Sequence, residues 1–166
     1  FLAVADSGNH RVRYVLMDQG SGTFAGNGQT TDQVGTGELD AKQASLYHPR
    51  GVAFDSFGNL YVSTERGFIR KIDGVTRKIS WFAGLPGTEG GQLDDQLPAK
   101  KMRFDSPYGM VVDDQNGILY VADTGNNRIQ IFTGDGIFLF VIGFGGKESG
   151  QFKSPSRVVV DLSDNI

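Results

Sequence analysis

The stretch LYVADTGNNRIQIF, residues 119–132, decides the fold. Two runs rich in β-branched and aromatic residues flank a polar centre, Asp123-Thr-Gly-Asn-Asn127, and Arg128 opens the second run. Short apolar runs bounded by Gly, Asn and Asp read as paired strands with a tight turn. Nearly the same string, LAVADSGNHRVRYV, stands at residues 2–15. A hairpin that returns with its turn chemistry intact marks an internal repeat.

The repeat extends outward from the hairpin. Pro49-Arg-Gly-Val-Ala-Phe-Asp55 precedes Gly58-Asn-Leu-Tyr-Val62, and Pro107-Tyr-Gly-Met-Val-Val-Asp113 precedes Gly117-Ile-Leu-Tyr-Val121. Pro155-Ser-Arg-Val-Val-Val-Asp161 opens a further copy. Leu2, Leu60, Leu119 and Ile166 hold equivalent places, 58, 59 and 47 residues apart. Each unit reads as four short strands, a to d, with turn signals between them. Gly8 and Gly125 are expected to supply positive φ in the b–c turn, where Asn and Asp cap their own backbone. Small and β-branched residues in strand a suit a crowded inner position.

Four-stranded antiparallel units of about 40 to 50 residues indicate β-propeller blades. The expected fold is all-β: a propeller of four-stranded blades, about three blades' worth. Residues 1–47 form a partial blade with a long link, and 48–106 a blade with a long link. Residues 107–154 form a blade with a short link, and 155–166 begin the next. The long links, 26–48 and 84–106, are expected to fold over one face, anchored by Leu39, Leu46, Leu93, Leu97 and Phe104. Three blades do not close a ring, which takes four or more. The missing blades are expected from more of the same chain or from a second copy.

Composition narrows the function. The chain has 166 residues, 24 of them Gly, no Cys, and a net charge of −3. Without Cys there is no disulfide and no thiolate metal site. The acidic balance argues against a phosphate-neutralising surface. The longest apolar run, Ile137 to Ile142, is too short to cross a bilayer. The compartment stays open, with the extracellular space or cell surface the favoured setting.

These residues resemble the NHL repeat family, which takes its name from an Asn-His-Leu tripeptide after strand b. Asn9-His10-Arg11 and Asn126-Asn127-Arg128 hold that place, inside turns that also contain Asp6, Gly8, Asp123 and Gly125. The Pro-x-Gly-Val frame of strand a and the short link ending Gly150-Gln-Phe152 match the family as well. The long links resemble an extended-loop subclass. The middle copy departs from the pattern: Ser63-Thr-Glu-Arg-Gly67 replaces the Asp-x-Gly-Asn turn and is one residue shorter. The resemblance implies a six-bladed ring.

Candidate site residues follow from the repeat. Arg50, Tyr108 and Ser156 follow the proline in successive copies and are expected at the inner mouth of the ring, with His48 beside them. A cation, a phenol and a hydroxyl suit partner contact and no particular reaction. His10 and His48 are the only histidines, fall on different turn types and lack metal-ligand spacing. Asp55, Asp113 and Asp161, each ending a strand a, read as turn stabilisers, and Glu89, Asp94 and Asp95 as a solvated acidic lobe. Arg70 and Lys71 read as part of a solvated outer face. No nucleophile–base pair or phosphate loop is visible, and no cofactor or metal is implied. The expected function is a non-enzymatic interaction or assembly scaffold, extracellular or in a surface filament, with protein partners or self-association and no membrane insertion. One alternative is a propeller hydrolase or lyase with catalytic residues elsewhere; a third is single-stranded RNA binding, disfavoured by the charge balance.

Overall fold

A computed structural model describes residues 2–32, 37–85 and 98–161. The first sheet holds β1 (Leu2–Asp6), β2 (Arg11–Leu16) and β3 (Gly20–Ala25) in that order. The second holds β4 (Leu39–Asp40), β5 (Pro49–Phe54), β6 (Leu60–Thr64), β7 (Ile69–Ile72) and β8 (Lys78–Ala83), ordered β4-β8-β7-β6-β5. The third holds β9 (Pro107–Asp113), β10 (Ile118–Asp123), β11 (Arg128–Thr133) and β12 (Phe138–Ile142), ordered β12-β11-β10-β9. All pairings within these sheets are antiparallel, and the sheets are the blades of a β-propeller.

The inner edge is built from strand a. β5 and β9 approach so closely that a Cβ on Gly51 would collide with the Tyr108 carbonyl. Ser63 Oγ ties them together, accepting from Gly51 N at 2.8 Å and donating to Tyr108 O at 2.7 Å. One repeat on, Gly109 N donates to Ser156 O at 3.0 Å. The second residue after Pro49 and Pro107 is therefore glycine because backbone meets backbone there; after Pro155 it is Arg157.

Side-chain alternation sends one face of each blade into each junction. Val12, Leu46, Leu60, Val62, Ile72 and Ile79 are buried between the first two blades, where Phe24 and Phe54 meet edge to face. Tyr61, Phe82, Phe104, Leu119, Phe132 and Phe138 fill the second junction, with Tyr61 edge-on to Phe82 at 5.2 Å.

Several expectations change. The strand number is not uniformly four: the described part of the first blade has three strands, and the second gains β4 outside β8. The described parts of the long links therefore wrap the outer edge of the following blade rather than only covering one face. Both do so identically. Gly26 N donates to Ala41 O and Ala41 N to Arg77 O; one repeat on, Gly84 N donates to Ala99 O and Ala99 N to Gly136 O. Leu46 and Phe104 then plug the two junctions, whereas Leu39 lies exposed on β4. Leu93 and Leu97, like Glu89, Asp94 and Asp95, lie outside the described residues. Gly8 and Gly125 do not adopt positive φ. They sit in 3-10 turns, Ser7–Asn9 and Thr124–Asn126, and the left-handed residues are His10 (φ 53°) and Asn127 (φ 56°). Gly125 is needed because a Cβ would run into the Asp105 carboxylate. In the shortened middle turn Gly67, at φ 82°, takes the left-handed place.

A carboxylate pins the end of strand b to its surroundings. Buried Asp123 accepts from Asn126 in the turn, from Arg128 Nε at 2.7 Å, from Gln130 at 2.8 Å, and from Asp105 N of the incoming link at 2.8 Å. Asp6 does part of this in the first blade, with Asn9 and Arg13. The middle blade has Thr64 at that position. There the carboxylate comes from the preceding link: Asp32 accepts from Thr64 Oγ1 at 2.8 Å and from Tyr47 N at 3.1 Å. Its counter-charge is Arg70, at the strand position of Arg13 and Gln130. Arg70 is only 1% exposed, so it is not part of a solvated face. Burial pushes the Asp32 carboxyl above its usual range, with the Tyr47 N–H, the Thr64 hydroxyl, Arg70 and Arg66 opposing, and lowers the Arg70 guanidinium.

Asp32→Ala should cost about 2 kcal/mol, since it leaves the Thr64 hydroxyl and the Tyr47 N–H without their acceptor and removes a charge that favours the Arg70 cation. Thr64→Asp in the same chain should recover part of the loss by restoring the Asp123 arrangement. Urea unfolding of the single and double variants checks both.

The a–b and c–d turns set the acid response. The Asn116 side chain, with the N–H groups of Asn116 and Gln115, holds the Asp113 carboxyl below its usual range. Thr76, through its N–H and hydroxyl, and the Val75 N–H do the same for Asp73. Folded values below unfolded ones give stability that is present above about pH 4 and lost as pH falls through the folded values. The raised Asp32 has the opposite sign: its term is present below the unfolded value and lost as pH rises through the folded one. Urea midpoints should therefore drop between about pH 5 and pH 3, and Asp113→Asn should flatten that slope.

Candidate functional site

The b–c turns and the starts of strand a lie on the same face, because strands a and b are antiparallel: Pro49 opposes Thr64 and Pro107 opposes Asp123. Each link reaches this face through a left-handed residue before proline, His48 (φ 42°), Ser106 (φ 49°) or Ser154 (φ 49°). The b–c turn holds it in place. Ser154 N donates to Asn127 Oδ1 at 2.8 Å, and in the first copy His48 N donates to His10 Nδ1 at 3.2 Å.

This contact joins the two histidines that the sequence keeps 38 residues apart. Their rings meet edge-on at 4.4 Å, and His10 stacks on Tyr47 at 5.5 Å. The Arg66 guanidinium lies 4.1 Å from the centroid of the Tyr47 ring. On the axial side Arg50 pairs with Glu65 at 2.9 Å and lies 5.6 Å from the Tyr108 ring centroid. Arg50 and Tyr108 line a cleft of about 260 Å³, with Met110, Arg157 and Val159 opposite or below. The Arg50 Nε is buried, with no acceptor among the described residues. Ser156 joins the cleft's backbone through its carbonyl, on Gly109, while its residue stays exposed.

A serine, a histidine and a glutamate also meet here, which the sequence did not show. Ser7 Oγ is 3.4 Å from His48 Nδ1, and Glu65 Oε2 is 3.9 Å from that same nitrogen. A relay needs the hydroxyl on one ring nitrogen and the acid on the other. With both on Nδ1 the trio cannot pass a proton from Ser7 through the ring to Glu65. Among the described residues no group of three His, Cys, Asp or Glu side chains is placed to hold a metal ion. The basic residues do not line one groove either: Arg70 is buried, Lys71 reaches Gly134 O, and Arg77 lies over Phe24.

The family model for the NHL repeat matches residues 104–132, the segment that carries the Asp123 network. Over 58 residues the chain is 48% identical to "Protein brain tumor" of Drosophila melanogaster, covering 35% of this chain and 6% of that protein. Over 136 residues it is 29% identical to "NHL repeat-containing protein 2" of Homo sapiens, covering 78% of this chain. The chain is similar to proteins of the NHL-repeat family. It spans 18% of that human relative's length. A solved structure described as an auxiliary nutrient binding protein from Bacteroides thetaiotaomicron VPI-5482 superposes with a TM-score of 0.62 at 16% identity, over 97% of this chain and 40% of that one, a likeness of fold.

Within this NHL frame His10 and Asn127 do one job, accepting the N–H of the pre-proline residue from a left-handed backbone. Asn tolerates that backbone and carries the same acceptor. His10→Asn should therefore stay within about 0.5 kcal/mol of the parent, while His10→Ala should lose about 1 kcal/mol. Equilibrium unfolding of the two variants checks the difference.

Proposed function

We propose that this NHL segment is a non-catalytic scaffold that holds a protein partner across the mouth of the propeller, through Arg50, Tyr108 and the His48–Tyr47–Arg66 group. The carrying observation is the Arg50 side chain. Glu65 and Tyr108 hold it in place, and 32% of the side chain stays exposed. A fixed, part-exposed cation beside a phenol suits a carbonyl or carboxylate of a partner chain. NHL relatives support a scaffold reading in general terms. The Ser7–His48–Glu65 geometry supports the non-catalytic part, and the dispersed basic residues weigh against RNA.

A second element of the proposal is assembly. Leu2 and Val4 are 61% and 39% exposed, while their repeat equivalents Leu60, Val62, Leu119 and Val121 are at most 1% exposed because a blade covers them. The same side chains in the same register need the same cover, so further blades, from this chain or another copy, complete the ring.

A photo-crosslinking residue at position 108 should capture a protein partner. The same residue at Phe57, which lies in an a–b turn on the opposite face, should not, and Arg50→Ala should weaken capture at 108 severalfold. Equal capture from both faces, or retention of RNA in place of protein, would overturn the mouth as a protein site. For assembly, light scattering of the 166-residue chain should show self-association, reduced by Leu2→Asp.

A further inference from the structure

A groove between the first two blades has no counterpart role in the mouth described above. It has a volume of about 410 Å³. Tyr14, Leu16 and Phe24 of the first blade line one side, Asp40 and Lys42 of the long link another, and Arg77 of the β7–β8 turn completes it. Both blades belong to the described residues, so the groove does not depend on what covers Leu2 and Val4.

The repeat shows what is special here. The link geometry is the same at both junctions, and Lys42 and Lys100 are equivalent, 58 residues apart. At the second junction Lys100 Nζ lies 5.6 Å from the centroid of the Trp81 ring, whose Nε1–H donates to Gly84 O at 2.9 Å. The position of Trp81 in the first blade is Thr23, another residue lining the groove. Lys42 therefore has no indole to cover. The second cation, Arg77, lies 4.9 Å from the centroid of the Phe24 ring, while its position at the second junction is Gly136. Asp40 uses one carboxylate oxygen on the N–H of Lys42. Two cations face one carboxylate around an aromatic floor.

We infer that this groove binds a small aromatic acid, its ring against Phe24 and Tyr14 and its carboxylate between Lys42 and Arg77. The volume lies within the usual range for small-molecule sites, about 300–1,000 Å³, and apolar walls with a few placed charges are their usual chemistry. Arg77 supplies a two-pronged donor to a carboxylate, and Lys42 a point charge that also favours the ring face.

The test is isothermal titration of the intact assembly with N-acetyl-L-tryptophan, and with its amide as the uncharged control. Saturable binding of the acid is expected, at least about tenfold tighter than the amide, since loss of one charge-assisted pair is worth that factor or more. Arg77→Asn, which suits the left-handed backbone at φ 60°, should weaken the acid about tenfold and leave the amide unchanged. Lys42→Ala, at an exposed position, serves the same purpose should the first variant unfold. A pentapeptide ending in tryptophan distinguishes sources: tighter binding than the free acid assigns the carboxylate to a chain terminus, and equal or weaker binding assigns it to a small molecule. Absence of saturable binding, equal affinity for acid and amide, or indifference to both substitutions would overturn the inference.

Discussion

A carboxylate anchors the end of strand b in each of the three blades. In the third blade Asp123 gathers the turn through Asn126, strand c through Arg128 and Gln130, and the incoming link through Asp105 N. A buried charge is tolerable only when its lone pairs are used, and here four donors from three segments use them. The same donors fix where the link turns down into strand a, so the mouth of the propeller inherits its shape from this network. The first blade has a thinner version, in which Asp6 meets only Asn9 and Arg13 among the described residues. The middle blade keeps the function and changes its source, borrowing Asp32 from a link.

That substitution explains much of what the sequence shows and hides. The hairpins, the Pro-x-Gly strands and the apolar alternation are local patterns, and the blades follow them. Asp32 lies 32 residues before Thr64, in a link with no repeat signature, and its pairing with Arg70 exists only after folding. Arg70 itself stands in an alternating charged run, Arg70-Lys71, which looks like a wet face, yet it is buried, with Ser80 O as an acceptor and Asp32 as an opposite charge. Gly125 misled for a similar reason. A glycine in a turn suggests positive φ, but the constraint is the Asp105 carboxylate beside it, a tertiary contact. The true left-handed positions went to His10 and Asn127, side chains that carry an acceptor for the next segment.

The mouth was legible in outline. The proline register brings Arg50 and Tyr108 to one cleft, as equivalent positions in a radial repeat must be. The joining of His10, Tyr47 and His48 was not, because two turns from different parts of the unit meet only when the link is folded. The resulting cluster holds groups familiar from hydrolases, and geometry decides against that use. A histidine whose Nδ1 faces both a hydroxyl and a carboxylate can bind and orient, but it cannot relay. Function in such a fold resides in the particular side chains placed on the repeat, not in the repeat.

The long links show how a repeat of this kind acquires individual sites. In their described parts, the backbone hydrogen bonds of Ala41 are repeated at Ala99 from one junction to the next. A copied backbone means that any difference in surface chemistry comes from side chains alone. Where one junction has Trp81 under Lys100, the other has Thr23 under Lys42; where one has Gly136, the other has Arg77 over Phe24. Neither change disturbs the buried plugs Leu46 and Phe104, which carry the hydrophobic stabilisation of the link. The outer rim of a junction is thus free to vary at little cost in stability, while the inner edge, where Gly51 and Gly109 press on neighbouring carbonyls, is not.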